Sequence, residues 1–140
     1  MQRFTDKVVL VTGAGSGIGK ASALRIAAEG GSVFCVDLNG EAVEATAAQI
    51  AKSGGEATAR VCDVSNESSV QDSVQACVER YGSLYGLVNM AGILRFDDTQ
   101  ELQTDHWQKV IDINLTGTMF LCRAALPHLV HTKGSIVNAA

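Results

Sequence analysis

The chain has 140 residues, 46% of them apolar and 19% charged, which is one domain's worth of an ordinary globular sequence and too apolar for a disordered one. Eleven Lys and Arg against fifteen Asp and Glu leave a net charge of −4 with no basic stripe, so the electrostatic footprint of a nucleic-acid binder is missing. No apolar run approaches the ~20 residues of a membrane helix, and MQRFTDK has no apolar region before a cleavage site, so it does not read as a signal peptide.

Two periodicities alternate along the chain. Short runs rich in β-branched residues (VVLV, VFCV, ATARVC and LYGLVN) start near Lys7, Ser32, Glu56 and Leu84. Their spacing, roughly 25 residues, is that of one strand plus one helix. The first intervening helix is predicted to bury Ile18, Ala21, Leu24 and Ala28 and to stop at Gly30-Gly31. The second carries Val43, Ala47 and Ile50 and stops at Gly54-Gly55. The third is capped near Ser65 or Asn66, carries Val70, Val74, Cys77 and Val78, and stops at Gly82. Residues 91–103 read as a polar-leaning loop. A long helix then runs from a cap at Thr104 to about Val130, with Pro127 near its last turn, and Gly134 opens a fifth strand, SIVNAA. Strands apolar on both faces that alternate with helices imply an α/β fold: a Rossmann-type, doubly wound parallel sheet with helices on both faces. The expectation is a single domain, 1–140, cut at its C-terminal end, because the last strand ends in an apolar run with an unpaired edge.

The segment VVLVTGAGSGIGK sets Gly13, Gly15, Gly17 and Gly19 between a buried strand and a helix start. Glycine serves where the backbone turns sharply and where a phosphate must reach main-chain N–H groups. The phosphate loop GxxxxGK[ST] fails twice, at Ala14 and Ala21, and GxGxxG fails at Ile18; TGxxxGxG fits. A dinucleotide site explains four alternate glycines better than a plain connection does. Asp37 closes the second strand, where a carboxylate can accept from both adenosine ribose hydroxyls and repel a 2′-phosphate, which favours NAD; a helix cap or a surface acid is the other reading. Asp63 ends the third strand, in place for the adenine amino group or as a cap of the next helix.

Cysteines 35, 62, 77 and 122 form no CxxC pair and read as buried free thiols of a reducing cytoplasm. His128 and His131 lie three apart without a visible third ligand, and read as a solvated helix end rather than a metal site.

TGAGSGIG at 12–19, Asp37, CDV at 62–64, NMAG at 89–92 and INLTG at 113–117 stand in the order and spacing of the short-chain dehydrogenase/reductase family, and the whole chain resembles its NAD-using members. The resemblance implies that Gly13, Gly17 and Gly19 hold the pyrophosphate, with Ser16 and Ile18 lining the turn. It gives Asp37 the adenine ribose, Asp63 and the Val64 backbone the adenine, and puts Asn89, Ala91 and Gly92 beneath the cofactor. Met90 replaces the family's usual Asn. Asn114 corresponds to the active-site Asn that supports a proton-relay water. From its apolar helical neighbours Val110, Ile111 and Gly117 it also reads as an amide bonded to buried backbone or water.

The chemistry implied is hydride transfer between NAD and an alcohol or ketone, with a serine, a tyrosine and a lysine four residues after the tyrosine. Four residues beyond Tyr81 and Tyr85 stand Tyr85 and Asn89, so there is no YxxxK, and the resemblance sets the serine directly after Ala140. Two readings follow: the N-terminal part of an oxidoreductase, or a short module that binds a dinucleotide or a partner without catalysis. In the family the long helix packs on another subunit, which implies a homo-oligomer through residues 104–130.

Overall fold

The computed structural model describes residues 1–140. Five parallel strands form one sheet: β1 (Val8–Thr12), β2 (Ser32–Asp37), β3 (Glu56–Val61), β4 (Gly86–Asn89) and β5 (Ser135–Asn138), in the order β3-β2-β1-β4-β5. Helices α1 (Gly17–Ala28), α2 (Gly40–Lys52) and α3 (Glu67–Tyr81) connect the first four strands. After the 91–103 loop come α4 (Thr104–Ile111), a π-helical turn (Asp112–Thr116) and α5 (Gly117–Thr132).

Side chains alternate across a strand, so each inner strand feeds two cores. Leu10, Phe34, Val36 and Leu87 face Val74 and Cys77 of α3 and Leu121 of α5. Val9, Val11, Val33 and Cys35 face Ala23 and Ile26 of α1 and Val43 and Ile50 of α2. The expected helix stops are correct: Gly30, Gly54 and Gly82 have φ of +89°, +81° and +78°, which a side chain would strain. Asn66 caps α3, accepting from Ser69 N–H at 3.0 Å.

Three expectations are corrected. The α1 face against the sheet is Gly19, Ala23, Ile26 and Ala27, while Ile18 is 73% exposed and Ala21 and Ala28 are exposed too. The reason is distance: a Cβ at position 19 would stand 2.2 Å from the Gly13 carbonyl oxygen, so glycine and alanine make the contact. The helix predicted over 104–130 is two α-helices joined by the π turn, and α5 continues past Pro127 to Thr132. Thr104 is not its cap; it is the first helical residue, after Gln103 in extended conformation.

Strand order puts β1 between β2 and β4, so the chain leaves the centre of the sheet first to one side and then to the other. A crevice opens at the carboxyl ends of β1 and β4, where such sheets bind ligands.

Candidate dinucleotide site

The glycine-rich turn leaves β1 at this crevice. Gly13 has φ +64°, and a Cβ there would lie 3.0 Å from Ala91 N and the Met90 carbonyl, so the turn rests on the end of β4. Gly17 has φ +53° with nothing near its missing Cβ, so conformation alone requires glycine there. The first hydrogen bond of α1 runs from Lys20 N–H to the Ser16 carbonyl at 3.0 Å, which leaves the N–H groups of Ile18 and Gly19 over. Ser16 is the N-cap, but its hydroxyl caps nothing, unlike Asn39 and Asn66 at the starts of α2 and α3. Free donors and the positive end of the helix dipole thus face the crevice, as a pyrophosphate requires.

Asp37 ends β2 with both carboxylate oxygens engaged. Oδ2 accepts from Gly15 N–H and Oδ1 from Asn39 N–H, each at 2.9 Å. It does not cap α2, whose cap is Asn39. Each oxygen keeps acceptor capacity, and the two N–H donors fix its direction against the turn. Asp63 does not cap α3 either. Its Oδ1 accepts from Ser65 N–H at 3.0 Å and from Ser65 Oγ at 2.6 Å, leaving Oδ2 unused within the chain. Ser69 Oγ accepts from Asp63 N–H at 3.1 Å, so side chain and backbone are both braced.

On the other side of β1, buried Thr12 ties the wall together: its Oγ1 accepts from the N–H groups of Met90 and Ala91, each at 3.0 Å. Sequence reasoning gave Thr12 no role; the signal was a hydroxyl closing an otherwise apolar strand. Asn89 is buried beneath this wall. Its Nδ2 donates to Asn138 Oδ1 at 2.8 Å and touches Cys122 Sγ at 3.6 Å, and its Oδ1 is buried without a partner in the chain. Asn114 stands in the π turn and is exposed. Its partners are backbone all the same: Oδ1 accepts from Ile93 N–H and Nδ2 donates to the Ile93 carbonyl, both at 2.8 Å.

These elements enclose a cleft of about 380 Å³ lined by sixteen residues. Ten of the eleven residues expected to hold a cofactor are among them: Gly13, Ser16, Gly17, Ile18, Gly19, Asp37, Asp63, Val64, Ala91 and Gly92. Asn89 is the one that is not, and Asn114, also outside the lining, borders it through its bonds to Ile93 and its amide beside Gly92. Leu38, Ile93 and Ile113 are lining residues that sequence reasoning missed. Asp37 and Asp63 are the only charged groups in the lining, and no Lys or Arg joins them. No group of three or more His, Cys, Asp or Glu side chains could hold a metal ion.

The chain matches the short chain dehydrogenase family over residues 7–140. It is 42% identical over 141 residues to a 3beta-hydroxysteroid dehydrogenase of Mediterraneibacter gnavus, covering 100% of this chain and 51% of that protein. It is 40% identical over 138 residues to the meso-2,3-butanediol dehydrogenase of Serratia marcescens, covering 99% and 54%. D-threitol dehydrogenase of Mycolicibacterium smegmatis is 40% identical over 139 residues, covering 99% and 54%. The chain therefore spans about half the length of the curated relatives it matches. Among solved structures, a Burkholderia xenovorans protein assigned to the short-chain dehydrogenases/reductases superposes with a TM-score of 0.93 at 35% identity, covering 99% of this chain and 57% of that one.

Proposed function

The chain belongs to the short-chain dehydrogenase family, and on that premise we propose that it is the NAD-binding part of an oxidoreductase that moves a hydride reversibly between the dinucleotide and an alcohol or carbonyl substrate. The observation that carries this reading is the joining of Asp37, the free N–H groups of α1 and the Met90–Gly92 wall in one cleft. The residues present fit the group. Glycine at 13 and 19 lets the turn close against the Met90–Ala91 backbone and against itself, where a Cβ would collide, and the helix start offers unpaired donors to the phosphates. Asp37 would accept from the ribose hydroxyls, Asp63 Oδ2 from the adenine amino group, and exposed Ile18 and Leu38 supply apolar surface beside them. The bound dinucleotide would supply the hydride chemistry at its nicotinamide ring. Asn114 would hold the Ile93 wall and support the proton relay from its place in the π turn. The dehydrogenase names of the relatives support this reading over a non-catalytic module.

NAD is favoured over NADP because a fixed carboxylate, with no cation beside it, meets the ribose where a 2′-phosphate would sit. Calorimetric titration of the chain with both dinucleotides tests this. NAD should bind more tightly; equal or reversed affinities would refute it.

We infer also that a second copy of the chain packs along α4 and α5. Trp107, Leu115, Met119, Leu126 and Val130 are 43–68% exposed and recur at helical spacing, a stripe suited to an isologous two-fold interface. Four free cysteines, three of them buried, support a reducing compartment, the cytoplasm.

A further inference from the structure

A π turn is rare and strains the helix that holds it, so it persists where neighbouring groups fix it. Here Gly117 N–H donates to the Asp112 carbonyl, closing the wide ring of the turn over Asp112–Thr116. Two contacts act on this turn from different directions. Gly117 is buried against the adenine-side wall: a Cβ at this position would stand 2.9 Å from both the carbonyl oxygen and Cγ2 of Val64. Thr118 Oγ1 donates to the Asn114 carbonyl at 3.0 Å, a back-bond of the kind that opens and bends helices. Between the two, Asn114 sends its amide to Ile93 through two bonds of 2.8 Å. Ile93 and Val64 both line the cleft; Gly117 and Thr118 do not.

We propose that Gly117 and Thr118 are positioning residues of the dinucleotide site. Gly117 seats the helix on Val64, Thr118 holds the turn open, and together they keep the π register that delivers the Asn114 amide to Ile93. Relaxation of the turn to α geometry shifts the register by one residue, which rotates Asn114 by roughly 100° and takes its amide off Ile93. The wall opposite the glycine-rich turn then loses its tether. This role rests on the dinucleotide reading of the cleft, but its geometric half is measurable without any ligand.

The test is NMR and calorimetry on the full chain with Thr118→Val, Thr118→Ser and Gly117→Ala. In Thr118→Val the solvent exchange of the Ile93 amide should accelerate by about tenfold and NAD affinity should fall about fivefold, the scale of losing one or two tethering hydrogen bonds. The Asn114 side-chain amide resonances should move toward those of a free amide. Thr118→Ser keeps the hydroxyl and should restore all three. Gly117→Ala should act in the same direction and more strongly; if it fails to fold, Thr118→Val decides alone. Unchanged Ile93 exchange and Asn114 resonances in Thr118→Val overturn the proposal. So does a lower Tm with Ile93 accelerated no more than its neighbours. If the parent chain binds no NAD, the dinucleotide reading fails, and the exchange measurements still decide the positioning role.

Discussion

Replacing Asp37 by Asn probes the cofactor preference with little change of shape. The variant keeps an oxygen for one of the two backbone donors, Gly15 N–H and Asn39 N–H, and loses the charge. A carboxylate and a 2′-phosphate about 5 Å apart repel by about 1–3 kcal/mol per unit phosphate charge at an effective dielectric constant between 80 and 20. Removing the carboxylate removes that repulsion. It also weakens the bonds to the ribose hydroxyls, and charge-assisted bonds are worth about 1.5–3 kcal/mol each. Both effects move the ratio the same way: NAD affinity falls and NADP affinity rises. The ratio of the two dissociation constants, measured by calorimetry at fixed salt, should shift toward NADP by at least about tenfold, since 1.4 kcal/mol is tenfold. Tertiary circular dichroism of Asp37→Asn, expected to match the parent's, is the control for folding. A folded variant with the parent's NAD-to-NADP ratio would show that Asp37 does not read the ribose.

Other perturbations have equally defined outcomes. Gly19→Ala sets a Cβ where 2.2 Å separates it from the Gly13 carbonyl oxygen; it should cost about 3 kcal/mol, lower Tm by roughly 10 °C and abolish NAD binding, whereas a parent-like melting curve would mean that the turn and helix can part freely. The hydrogen bond from Arg3 holds the buried Glu29 carboxyl down to about 2, against its burial and with help from Arg25. Unfolded, Glu29 titrates near 4.5, so its stabilising contribution is complete above that pH and fades as pH falls toward 2; urea unfolding should lose part of its pH slope in that window in Glu29→Gln, and identical slopes would contradict the pairing. Leu126→Glu on the exposed α5 stripe should turn a dimer into a monomer in sedimentation at unchanged helicity, and a parent already monomeric at high concentration would remove the stripe as an interface.

The sequence made the sheet legible because strands buried on both faces must be apolar throughout, and VVLV and VFCV are. Glycine stops were legible for a different reason: only a residue free of Cβ closes a helix at φ near +80° without strain, as at Gly30, Gly54 and Gly82. The face of α1 was not legible, because periodicity looks for bulk where the core is. In α1 the contact is set by nearness, and the residues that permit it are Gly19, Ala23 and Ala27. The π turn escaped for a related reason. In DINLTG the polar Asp112, Asn114 and Thr116 alternate with Ile113 and Leu115, and nothing in that spacing shows that Gly117 must meet the Val64 backbone. Ten of the cleft residues could be named in advance because the motif residues line the cleft directly. Thr12's bonds to Met90 and Ala91 and Asn114's to Ile93 could not, because each joins residues that only the fold brings near.

Bonds of this second kind brace the cleft walls. Asp37 is held by Gly15 and Asn39, Asp63 by Ser65, Ala91 by Thr12 and Ile93 by Asn114, so each wall element has its own brace and all are formed within one chain. A site already in its binding geometry loses little conformational freedom when a ligand arrives, and more of the contact energy remains as affinity. The corollary concerns where affinity can be lost. A change at Thr12 or Thr118, neither of them touching the cleft, frees a wall residue and returns the ordering cost to the binding step. Such changes should weaken every ligand that spans the cleft, whatever its 2′ substituent, whereas a change at Asp37 should separate NAD from NADP. The pattern across two ligands, rather than the size of either loss, distinguishes a brace from a contact.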